Sequence, residues 1–168
     1  MTLLDAPKFD EARDRRRQLM MYSSAGFVFL LIVIFWLISG RPIDWPWSWF
    51  SHLAGRSAAN HFLGAVEQND LQKAYAIWVH DPDWQKHPDK YNAYPFARFE
   101  QDWSSTSPDN EYGIIQTHKI VAARVYKNVL LMGILINGRK SKALFLTYYP
   151  KDHTLNFAPP DEELYLGP

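Results

Sequence analysis

The spacing of apolar residues changes period along this chain, and each change marks an element. From Gln18 to Gly40 there is no charged residue, and "GFVFLLIVIFWLI" inside that stretch is continuously apolar. The 23 uncharged positions are enough for a helix to cross a bilayer, which takes roughly 20 residues for ~30 Å of hydrocarbon. Further on, Ala59, Phe62, Leu63 and Val66 recur at three- and four-residue spacing and predict a helix. Asn69 and Asp70 break that run, and Asp70 is placed to cap a second helix carrying Leu71, Ala74, Tyr75 and Trp78. Residues 80–95 hold Pro and Asp at short intervals and read as a loop, after which Phe96, Phe99 and Trp103 restore helical spacing.

Past Gly113 the pattern becomes that of strands. "IIQTHKIVAARVY" is a long β-branched run, and "VLLMGILI" is apolar on both alternating faces, as a strand buried on both sides is. Asn137-Gly138 between apolar runs is a strong hairpin signal leading into "SKALFLTYY". Lys127-Asn128 is expected to turn the first strand into the second, and Pro150–Thr154 to lead into a short last strand, "LNFA". The predicted class is α+β: one N-terminal transmembrane helix, then two or three helices packed on a twisted antiparallel sheet of about four strands.

Charge gives the apolar run a direction. Arg13, Arg15, Arg16 and Arg17 stand just before it, while only Arg41 and Arg56 follow closely. Positive charge stays on the cytoplasmic side, so residues 1–18 are expected to be a basic cytoplasmic tail and 19–40 a single span. The rest of the chain then lies outside the cell (inner) membrane, in the periplasm if the source is a Gram-negative bacterium. A cleaved signal peptide and a buried soluble helix are the alternatives. The first would cut near Ser39 and Gly40, but its apolar region is normally shorter.

Three of the seven tryptophans follow at once, on alternate positions of "RPIDWPWSWF". Indoles collect at the headgroup level. Trp36, Trp45, Trp47 and Trp49 are therefore expected to form the outer belt, with Arg15, Arg16 and Arg17 at the inner headgroups. A docking surface for another membrane subunit is the sharper reading of the same residues. Residues 41–56 read as a Trp- and Pro-rich interfacial linker, 57–158 as the folded domain and 159–168 as an extended acidic tail. In that tail Leu164, Tyr165 and Leu166 could pack on the domain or on a neighbour.

Composition removes several chemistries. Net charge is zero, and 13 Lys/Arg against 14 Asp/Glu beyond Gly40 give no footprint for nucleic acid. The chain has no cysteine, hence no disulfide, thiolate nucleophile or thiolate metal site. No phosphate-binding loop, nucleophile elbow or zinc-protease motif occurs. No cofactor is expected.

The stretch "ANHFLGAVEQNDLQKAYAIW" resembles the opening helical pair of the NTF2-like, cystatin-like α+β superfamily. "PFARFEQDW" is similar to its third helix, and "VYKNVLLMGILINGRKSKALFLTYY" to its long curled hairpin. The likeness covers residues 57–158. It implies a sheet whose cone can bind a small molecule, with Trp78, Tyr126 and Tyr148 as possible lining, or a tethered module without chemistry. A single span before a small α+β domain also resembles assembly factors of respiratory complexes, in architecture alone.

Candidate chemistry is sparse. His118 could act as a general base beside Arg124, which a regular strand would place on the same side. No Asp or Glu lies between Ile114 and Tyr149, so an orienting carboxylate must come from a helix, such as Glu100 or Asp102. The plainer reading of His118 is a sheet-face residue. His80, Asp83 and His87, with Asp81, could gather round a divalent ion, although their spacing is that of a solvated loop. "GRKSK" reads as a solvated hairpin tip or a contact for lipid phosphates or an acidic partner.

The expected function is a membrane-anchored, non-enzymatic accessory or assembly module whose outer domain contacts partner proteins. The alternatives are a small-molecule-binding domain and, behind it, a hydrolase or isomerase using His118.

Overall fold

The computed structural model describes residues 11–159. Lys8 and most of the acidic tail, with Leu164, Tyr165 and Leu166, lie outside them. The chain divides between Ile38 and Ser39 into two units.

The first unit is a single helix, α1 (Glu11–Ile38), with no buried residue. It is long and apolar enough to cross a membrane. It begins earlier than the apolar run, because Arg13–Arg17 continue the same helix instead of preceding it. Glu11 and Asp14 in its first turn complement the positive end of the helix dipole.

The second unit is α+β, as the pattern predicted: α2 (Trp49–Glu67), α3 (Leu71–Trp78), α4 (Phe96–Trp103), then β1 (His118–Tyr126), β2 (Val129–Ile136), β3 (Arg139–Tyr149) and β4 (Thr154–Phe157). The strands form one antiparallel meander in the order β1-β2-β3-β4. Each predicted turn is present. Lys127, Asn128, Asn137 and Gly138 all have positive φ, the conformation that two-residue hairpins require. Asp70 caps α3, its Oδ1 accepting from Lys73 N at 3.1 Å.

α2 starts at Trp49, so the expected linker over 41–56 is half helix. The buried stripe of Ala59, Phe62, Leu63 and Val66 extends back through Gly55 and His52 at the same spacing. At Gly55 the helix lies close against the sheet. A Cβ there would stand 2.6 Å from Leu130 Cδ2 and 2.9 Å from Tyr148 Cδ1, so any side chain would force the two layers apart. Read from sequence, that glycine looks like a linker residue; it is a packing residue.

The core lies between the helices and one face of the sheet. Leu130, Met132, Ile134 and Ile136 of β2, with Leu144, Leu146 and Tyr148 of β3, meet Phe62, Leu63, Trp78, Phe99 and Trp103. Phe62 and Trp103 pack edge-to-face with centroids 4.9 Å apart. The loop over 80–95 holds two short 3-10 turns (Trp84–Lys86 and Pro88–Tyr91) and feeds Trp84 into this aromatic cluster. Trp84 stacks on Phe96 at 4.8 Å and meets the edge of Tyr75 at the same distance. Tyr75 donates to Tyr94 O at 2.7 Å, and Tyr94 donates to Asp102 Oδ2 at 2.8 Å, which ties α3, the loop and α4 together.

The first strand is shorter than its β-branched run. Asn137 takes over the residues before it: its Oδ1 accepts from Gln116 N and Thr117 N at 2.8 and 3.1 Å, and its Nδ2 donates to Ile114 O at 2.7 Å. These backbone groups are therefore served by a side chain and make no ladder. A register shift between Ile120 and Ala122 then inserts an extra residue into β1.

Candidate functional site

That bulge separates the pair proposed from sequence. His118 lies opposite Ile136, on the helix-facing side, whereas Arg124 lies opposite Leu131, on the other face. The even spacing that would align them holds only for a regular strand. The carboxylate beside His118 is also a different one. Glu67, at the end of α2, places Oε1 2.7 Å from Nδ1, and Asn60 Oδ1 stands 3.1 Å from Nε2. Asp102 is engaged elsewhere, with Tyr94 and with Arg98 Nη2 at 2.9 Å. Both imidazole nitrogens of His118 thus face α2, and the arrangement fastens the start of β1 to that helix.

The metal candidates are not brought together. Among the described residues no three His, Cys, Asp or Glu side chains stand close enough to hold an ion. Asp83 pairs with Lys86 at 2.8 Å. Asp81 Oδ1 accepts from Asp83 N, and its Oδ2 from the Tyr91 hydroxyl at 2.6 Å. That hydroxyl, followed by the Asp83 amide and the nearby Lys90, holds the Asp81 carboxyl below its ordinary range. The His80 ring instead sits 5.2 Å from that of His153.

Trp78, Tyr126 and Tyr148 do not line one hollow. Trp78 is packed among Phe62, Phe99 and Trp103 in the filled helix-facing side of the sheet. Tyr126 is on the exposed side, under the Lys127 ammonium at 4.6 Å. Tyr148 is buried, but its edge reaches a different cleft.

That cleft is a groove of about 740 Å³ lined by α2 and α3, with Tyr148 and His153 contributed from the sheet and the β3–β4 turn. Its floor is small and apolar: Ala54, Ala58, Gly64, Ala65, Ala76 and Ile77. Its rim carries His61, Lys73, His80, Asp81 and His153. Burial pushes the Tyr148 phenol pKa up, and its hydroxyl is hydrogen-bonded to His153 Nδ1 at 2.6 Å. His153 and His80 both hold positive φ, at 57° and 52°, a region that side-chain-bearing residues occupy sparingly. No candidate residue named from the sequence falls on this face of α2. The signal that could have found it is the recurrence of Ala54, Ala58, His61, Gly64 and Gln68 at three- and four-residue spacing.

Comparison with family models, curated proteins and solved structures finds no match for this chain. Chemistry must therefore be argued from geometry alone.

The tryptophans after α1 divide into two kinds. Trp45 and Trp47 are exposed and stack on each other, 5.1 Å apart and nearly parallel. Trp49, expected in the same belt, is half-buried, and its Nε1 donates to Asp44 O at 3.0 Å. Asp44 is the centre of this segment. Its Oδ2 meets the buried His52 Nε2 at 2.8 Å and accepts from Val125 N at 3.1 Å. The neck is thereby clasped to both α2 and β1. Trp36 is half-buried near the end of α1, and Arg15, Arg16 and Arg17 are exposed on its first turns.

Proposed function

We propose that this protein is a single-pass, membrane-anchored, non-enzymatic accessory module whose NTF2-like domain stands outside the cytoplasm and binds a partner protein through the α2–α3 groove. The observation that carries this reading is Gly64. A glycine inside a helix costs roughly 0.5–1 kcal/mol relative to alanine, yet nothing lies within 4 Å of where its Cβ would be. The fold itself makes no use of that space. A neighbouring helix or strand laid in the groove would use it, and the small apolar floor permits close backbone approach.

The orientation follows from the arginines before the span. The interior side of the sheet is filled by the core, whereas the groove between α2 and α3 is open to a partner. The test is copurification of tagged full-length chain from its native membrane in mild detergent, with Gly64→Trp as the blocked variant. A partner retained by the native chain and lost from a normally folded Gly64→Trp is the expected result. A chain that elutes alone, or a partner indifferent to Gly64→Trp, removes the proposal. External protease in sealed spheroplasts should reach Lys86, and protection there would reverse the orientation.

A further inference from the structure

The stretch from Pro42 to Gly55 contains one acidic residue and one histidine, and they are turned inward onto each other. What the segment presents outward is uncharged. Ile43 is 93% exposed, Trp45 70%, Trp47 75% and Phe50 68%. Phe50 and Leu53, three residues apart in α2, share the side opposite the packed His52, Gly55 and Ala59, and Trp47 stands three residues before Phe50 in the 3-10 turn that leads into the helix. Trp45 stacks on Trp47 and extends the same surface.

An apolar face this open needs an occupant. From this segment we infer a bilayer-seated foot: Ile43, Trp45, Trp47 and Leu53 lie in the headgroup layer of the membrane that α1 crosses. Asp44 fixes the segment to α2 and β1, so the foot is part of the folded domain. This rests on the reading of α1 as a span.

Three features choose lipid over protein. Ile43 is five residues beyond Ile38, the end of α1, and at roughly 3.3–3.6 Å per residue the chain cannot carry it more than about 18 Å from that end. The exposed residues are two indoles with a proline between them and aliphatic neighbours, a composition suited to a boundary that is wet on one side. The pairing of Asp44 with His52 keeps the only acidic carboxylate of the stretch from the outward face, as immersion requires.

The chain has no cysteine, so single probes can be placed cleanly. Full-length Ile43→Cys, Trp47→Cys, Leu31→Cys and Ser141→Cys would each be spin-labelled in nanodiscs of phosphatidylcholine and phosphatidylglycerol. Contact with oxygen is then compared with contact with a water-soluble nickel chelate. The expected result is a deep reading at 31, a shallow but oxygen-favouring reading at 43 and 47, and an aqueous reading at 141. Aqueous readings at 43 and 47 with 31 still deep would overturn the foot, leave the span intact and assign the face to a protein. An aqueous reading at 31 would overturn the span and the foot together.

Discussion

Two pairs of tryptophans show how the same side chain is handled in different surroundings. Trp78 and Trp103 lie almost fully buried in a cluster where each ring meets several others edge-on or tilted. Trp45 and Trp47 have one partner, each other, and are otherwise open. The difference originates in backbone period. Helical spacing rotates Trp78 and Trp103 onto faces shared with other apolar residues. Pro46 sits between Trp45 and Trp47 and starts a short 3-10 turn, which leaves their rings off the packed side. The first pair packs the core, whereas the rings of the second lie outside it.

The contrast can be tested by substitution in the full chain, with chemical unfolding in mild detergent as the readout. Trp78→Ala should be the most damaging, at about 3–5 kcal/mol, because it opens a cavity in the aromatic cluster. A loss no larger than that of an exposed site would erase the distinction. Asp44→Ala should cost about 1–3 kcal/mol, since buried His52 and the Val125 amide lose their acceptor together. It should also loosen the neck without unfolding α3 or α4, which hydrogen exchange would resolve.

Tyr94→Phe is expected to cost about 1 kcal/mol at neutral pH, and it carries a pH signature. Burial, then the Asp102 acceptor and its charge, push the Tyr94 pKa well above the ordinary 10.0. Above that ordinary value the unfolded chain has released a proton that the folded chain keeps, so native stability falls as pH rises. Tyr94→Phe should flatten this alkaline decline, and an unchanged slope would mean that the hydroxyl is not held as described. Smallest of all, Trp45→Ser with Trp47→Ser should leave unfolding within about 0.5 kcal/mol of the parent chain. A large loss there would place the pair inside the fold after all.

Much of the architecture was legible because it depends on period and turn chemistry. The helical stripes, the doubly apolar β2, the Asp70 cap and the three strand turns are all local signals that the packing reinforces. What stayed hidden depends on single residues acting over distance. Gly55 reads as flexible until Leu130 is known to stand against it. The extra residue near Val121 leaves no mark in composition, yet it sends Arg124 to the face opposite His118. The Asp44–His52 pair spans eight positions, and Glu67 meets His118 from 51 residues away, beyond any pattern read within one element. The groove was missed for another reason: small residues on a helix look like ordinary surface until a second helix forms the opposite wall.

Asn137 carries a consequence for anyone altering this protein. Its backbone stands at a φ of 51°, a region that glycine enters without strain, so Asn137→Gly would leave the turn able to form. Its side chain meanwhile staples the three residues Ile114, Gln116 and Thr117 ahead of β1. The same exchange would remove all three side-chain bonds, so a change that the hairpin tolerates would fray the entry to the strand beside it.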